Sequence, residues 1–102
     1  MREHAEQPIR EGEQIVRAVE KVKGQAWEKF RDQYGDWGRD AALHLGRRRG
    51  RMRLLDLGAK AGGLHYAAVG RGIHRFEARL KEDPNLRSCL RKIEAQLLND
   101  KM

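Results

Sequence analysis

The amino-acid sequence predicts an all-α protein, one compact domain of about six helices that contains a helix-turn-helix. Apolar residues recur three and four positions apart in segment after segment, which is the period of an amphipathic helix. No segment shows the pattern of a strand. Residues 47–76 read as a basic loop, a short helix, a glycine turn and a second helix.

Each element has its own justification. Residues 1–8 are polar and are expected to fray. Over 9–23, Ile15, Val16, Val19 and Val22 make a narrow apolar stripe among charges, so this is one amphipathic helix, ended by Gly24. Residues 1–23 are thus assigned as a polar arm with an amphipathic helix, and 24–102 as the main domain. Trp27, Phe30, Tyr34 and Trp37 follow at spacings of three, four and three, an aromatic stripe expected on one helical face and in the core. Gly35-Asp36 breaks that helix, and Asp36 can cap the next.

The third helix is predicted over 36–49, with Trp37, Ala41, Ala42 and Leu45 facing inward and His44 beside them. Its last turn carries Arg47, Arg48 and Arg49, and positive charge suits a helix C-terminus. Three consecutive arginines point in three directions, however, so helix stabilisation alone does not account for them. The fourth helix covers 52–61, with Leu54, Leu57 and Ala61 on one face. Gly58 within it is unfavourable by about 1 kcal/mol relative to alanine, which makes sense if another helix crosses closely there. Gly62-Gly63 supplies the backbone angles of a tight turn.

The fifth helix is expected over 64–81, burying Val69, Ile73, Phe76 and Leu80 and exposing Tyr66, Ala67, Gly70, Arg71, His74 and Arg75. Asp83 fits an N-cap and Pro84 the first helical position of a sixth helix that runs to about Leu98. Leu86, Cys89 or Leu90, Ile93 and Leu97 face inward from it.

A chain of 102 residues forms one domain at most. Cys89 is the lone cysteine, so no disulfide helps the core, and it reads as a small buried thiol in a reducing compartment. No run is apolar enough to span a bilayer, and residues 1–10 are too polar for a signal peptide, so a cytoplasmic location is expected. His4, His44, His65 and His74 are scattered and make no zinc pattern. Gly58, Gly62 and Gly63 follow no strand and form no phosphate loop, and Ser88, the only serine, has no nucleophile context. No enzyme activity, metal, cofactor, small-molecule substrate or membrane partner is therefore expected.

The formal net charge is +7, and its placement matters more than its size. Residues 36–81 hold eleven Lys/Arg against four Asp/Glu, whereas 1–35 and 82–102 are each neutral. A surplus confined to one block points to a polyanion partner.

The run Gly38-Arg39-Asp40-Ala41-Ala42-Leu43-His44-Leu45, then 54–58, then Gly62-Gly63-Leu64-His65-Tyr66-Ala67-Ala68-Val69 resembles the C-terminal DNA-binding domain (domain IV) of the bacterial replication initiator DnaA. It is most similar to the DnaA-like domain attached to REP-associated tyrosine transposases. Those relatives carry Gly-Asp, Gly-Arg-Asp, Gly-Gly, Tyr-Ala-Ala-Val and Arg-Phe-Glu phrases, here Gly35-Asp36, Gly38–Asp40, Gly62-Gly63, Tyr66–Val69 and Arg75–Glu77. The resemblance spans roughly residues 24–98 and implies a TrpR-like and DnaA-like helix-turn-helix fold. Where DnaA has Arg-Asp-His-Thr-Thr, this chain has Leu64-His65-Tyr66-Ala67-Ala68, so most of that family's base-reading groups are replaced. The catalytic domain of the transposases has no counterpart here, so the resemblance implies an accessory or regulatory protein.

The expected function is double-stranded DNA binding. Arg47, Arg48, Arg49, Arg51, Arg53 and Lys60 would neutralise phosphates, helped by free amides near His65–Ala67. His65, Tyr66, Ala67, Arg71 and Arg75 would face the major groove. The alternatives are a helical protein-interaction module, with a second copy of the chain as one partner, and an RNA-binding protein.

Overall fold

The computed structural model describes residues 3–101, with side chains described for residues 12–98. Six helices form: α1 Glu3–Lys23, α2 Trp27–Phe30, α3 Trp37–Arg48, α4 Leu54–Lys60, α5 Tyr66–Glu82 and α6 Pro84–Lys101. No strand is present among the described residues. The Cα radius of gyration, 12.9 Å, is that of a compact domain of this length.

Residues 1 and 2 of the stretch expected to fray lie outside the described residues, but from Glu3 onward that stretch is helical rather than frayed. A helix already nucleated downstream extends at little cost through residues that offer no apolar face. Ile15, Ala18 and Val19 of α1 are buried in the same core as Ala41, Ala42 and Leu45 of α3 and Ile93 and Leu97 of α6.

The expected aromatic stripe is corrected. Helix α2 is a single turn, in which Trp27 and Phe30 meet edge to face with ring centroids 5.4 Å apart. Beyond it the backbone makes turns, with Gln33 N donating to Phe30 O and Asp36 N to Gln33 O, and Gly35 has a φ of 75°. Those turns divide the stripe. Tyr34 is 85% exposed, and Trp37 opens α3.

Asp36 starts α3 as expected, accepting from Gly38 N at 2.8 Å and Arg39 N at 3.1 Å, while Lys23 pairs with its other oxygen. Asp83 likewise accepts from Asn85 N and Leu86 N at the start of α6. Cys89 is half-buried rather than buried.

Helices α3 and α5 divide the interior into two cores. The larger joins α1, α2, α3 and α6 and takes Phe76 from α5. The smaller holds Leu43 of α3, Leu57 of α4, Ala61, and Val69 and Ile73 of α5, with Met52, Leu54 and Leu64 packed on it. This smaller core fixes α4 and the start of α5 against α3. From the other side, Trp27 Nε1 donates to the Lys60 carbonyl at 3.0 Å and pins the end of α4.

The turn between α4 and α5 is built on one carbonyl. Gly58 O accepts from Gly63 N at 3.0 Å and Leu64 N at 2.8 Å, and Gly62 and Gly63 take φ values of 79° and 92°. This closes α4 as a glycine C-cap does.

Candidate nucleic-acid interface

The arginine bend leaves the C-terminus of α3. Arg49 caps that helix with its backbone amide on Leu45 O, and Met52 N returns to Gly46 O at 3.0 Å. The left-handed residue of the bend is Arg51, with φ of 54°, and not the neighbouring Gly50. A non-glycine residue in that region costs about 1–2 kcal/mol.

The structure sorts the basic residues into free and engaged. Arg47, Arg49 and Arg51 are exposed, and Arg47 Nη1 braces the bend by donating to Met52 O at 3.0 Å. Arg48 reaches Glu77 of α5 with two hydrogen bonds, Nε to Oε2 at 2.8 Å and Nη2 to Oε1 at 3.0 Å. Glu77 also accepts from His44 Nδ1 at 2.8 Å, because an ionised carboxylate can only accept. The Arg48 hydrogen bonds, aided by His44, hold the Glu77 carboxyl down at about 2, against the opposing effect of its burial. Arg53 is the N-cap residue of α4 and turns its guanidinium to Asp56 at 3.0 Å.

Two residues expected to stand free at the interface are held by neighbours instead. Lys60 is half-buried and lays its stem against α1, with Cε 3.0 Å from where a Cβ on Gly12 would stand. Arg75 does not stand free beside Arg71. Its Nη2 and Nε donate to Asp40 Oδ2 at 3.1 and 3.3 Å, and its guanidinium lies 4.7 Å from the centre of the Tyr34 ring. A buried carboxylate on the neighbouring helix draws this arginine to the flank of α5. Asp40 is 0% exposed and also accepts from Arg39, itself 3% exposed. Sequence reasoning passed over Asp40. Its signal was there, since Asp40 lies three residues after Trp37 and next to Ala41, on the inward face, where a charge needs a partner.

The outer ridge of α5 matches expectation more closely. Tyr66, Ala67, Arg71 and His74 are all exposed. A Cβ on Gly70 would meet no atom within 4 Å, so the backbone there is open to close approach. His65 is the N-cap residue of α5, and its Nδ1 accepts from Ala67 N at 3.1 Å, which removes one of the amides expected to be free for phosphate. The His65 ring stacks on Tyr66 with centroids 4.4 Å apart. Leu55, Ala59, Leu64 and Tyr66 line a shallow surface groove between α4 and the start of α5.

Among the described residues no group of three His, Cys, Asp or Glu side chains is placed to hold a metal ion. No described helix is long and apolar enough to cross a membrane. No family model, no curated protein and no solved structure matches this chain.

Proposed function

We propose that the protein binds double-stranded DNA, with α4, the glycine turn and α5 acting as a helix-turn-helix whose second helix enters the major groove. One observation carries this reading. All four carboxylates of the basic block are engaged, Asp36 on an N-cap and Lys23, Asp40 on Arg39 and Arg75, Asp56 on Arg53, and Glu77 on Arg48 and His44. Arg47, Arg49, Arg51 and Arg71 are exposed and make no ion pair among the described residues. Free cations in a block whose own carboxylates are all engaged are the footprint of an external polyanion.

Placement supports the same reading. The Arg48–Glu77 pair holds the end of α3, and the bend that follows it, against α5. Ala67, Arg71 and His74 recur at four and three residues, so they form one ridge with the open Gly70 backbone beside it. On DNA, Arg47, Arg49 and Arg51 take phosphates. Ala67 and Tyr66 reach thymine methyl groups, and the ring nitrogen of His65 not used in capping, with Arg71, reaches base edges or phosphates. The family resemblance extends this to an accessory or regulatory protein of transposase descent, located with the nucleoid.

The test is titration of a labelled duplex at two salt concentrations. With roughly four phosphates engaged, log K is expected to fall against log salt with a slope between about −3 and −4. No binding, or a flat response, rejects the proposal. Structured RNA that displaces the duplex at equal concentration overturns the choice of duplex DNA.

A further inference from the structure

The connection between α2 and α3 holds an aromatic ring in water, outside both cores. Tyr34 is 85% exposed, the most exposed of the large apolar side chains described, and its one evident partner is the Arg75 guanidinium stacked 4.7 Å above it. The connection runs beside the α4–α5 turn, because Arg31 Nε and Asp32 Cβ lie 3.6 and 3.7 Å from where a Cβ on Gly62 would stand. It therefore meets the glycine turn at Arg31 and Asp32 and α5 at Arg75. The arginine bend is tied to α5 at Glu77, and Glu77 and Arg75 lie on opposite flanks of the outer ridge, since two residues' separation turns a helix by more than half a circle.

Charge and geometry at Arg75 are those of an anion contact. Asp40 carries one negative charge between two guanidinium groups, so the cluster keeps one net positive charge. Asp40 occupies Nε and Nη2 of Arg75, which leaves Nη1 outside these bonds. The carboxylate and the ring fix the guanidinium before any ligand arrives, so little side-chain freedom remains to be lost on binding.

We propose that Tyr34 and Arg75 form a second phosphate-binding point, which grips the DNA backbone on the side of α5 opposite the arginine bend, with Asp40 as the positioning residue. This rests on the DNA-binding reading and adds to it. The recognition helix is held between two backbone contacts, one on each wall of the groove. The free edge of Arg75 and the Tyr34 hydroxyl both donate to one phosphate oxygen cluster.

Duplex titration across a salt series, with wild-type protein and the variants Tyr34→Ala, Tyr34→Phe and Arg75→Gln, decides the matter, with thermal melting of each variant alongside. Arg75→Gln is expected to make the salt slope shallower by about 0.9, the loss of one phosphate contact. Tyr34→Ala is expected to weaken binding about fivefold, and Tyr34→Phe by less, since phenylalanine keeps the stacking face but not the donor. Tyr34 is exposed, so its variants should melt with the wild type and stay informative if Arg75→Gln unfolds. If the wild type binds duplex and both Tyr34 variants bind it equally well with an unchanged slope, the second contact is overturned and the helix-turn-helix reading stands. If the wild type does not bind, both fall.

Discussion

A methyl group on Gly58 would stand 2.0 Å from the Leu64 carbonyl oxygen, which is backbone and cannot swing aside. The Gly58→Ala variant is therefore expected to lose on the order of 3 kcal/mol or more of stability, read as a lower midpoint in urea denaturation. Gly70→Ala is its control. That site is helical and open, so the same change should be neutral or stabilise by about 0.5–1 kcal/mol. The sequence flagged Gly58 correctly as a point of close approach. What approaches is the carbonyl of the turn as well as a Val69 methyl at 3.4 Å, a detail that helical period does not contain. Arg51 was illegible for a related reason. Gly50 is the residue that chemistry would choose for a left-handed bend, yet the hydrogen bond from Met52 N to Gly46 O puts the strained angle on Arg51.

Helices with side-chain caps were legible, whereas α2 was not. Asp36 and Asp83 cap within three residues of themselves, so their partners lie in the same short stretch of sequence. The aromatic stripe obeyed helical spacing, but the turns at Gln33 and Asp36 override it, because spacing describes a face only while the backbone stays helical. The joint between α3 and α5 is held by Glu77, and its carboxyl sits at about 2 rather than the ordinary 4.5. A depressed carboxyl stabilises the fold above its unfolded value and ceases to do so as pH falls through its folded value. Stability should thus decline between about pH 4.5 and pH 2, by on the order of 1 kcal/mol once solvent screening of the half-exposed Arg48 is allowed for. Chemical denaturation at a series of pH values checks this. Glu77→Gln should be less stable at neutral pH and lack this part of the acid dependence, and an unchanged acid profile in that variant would refute the assignment.

At the scale of the molecule, the two cores share α3 and α5 and should not melt separately. Leu43→Ala, in the smaller core, is expected to cost about 2–5 kcal/mol. Trp27 and Trp37 report on the larger core, so tryptophan fluorescence and helical circular dichroism should still give one coincident transition in that variant. Separated midpoints would mean that the α4–α5 unit unfolds on its own. By itself the sequence determined the helical class, the caps at Asp36 and Asp83, the glycine turn at Gly62-Gly63 and the confinement of positive charge to residues 36–81. These are local properties, set by neighbours a few residues apart. Only the tertiary structure decided which arginines are tied to carboxylates and which stand without one among the described residues. Arg48 is tied to Glu77 29 residues away and Arg75 to Asp40 35 residues away. Ion pairs of that separation exist only after the helices cross, and no local pattern of charge records where they will cross.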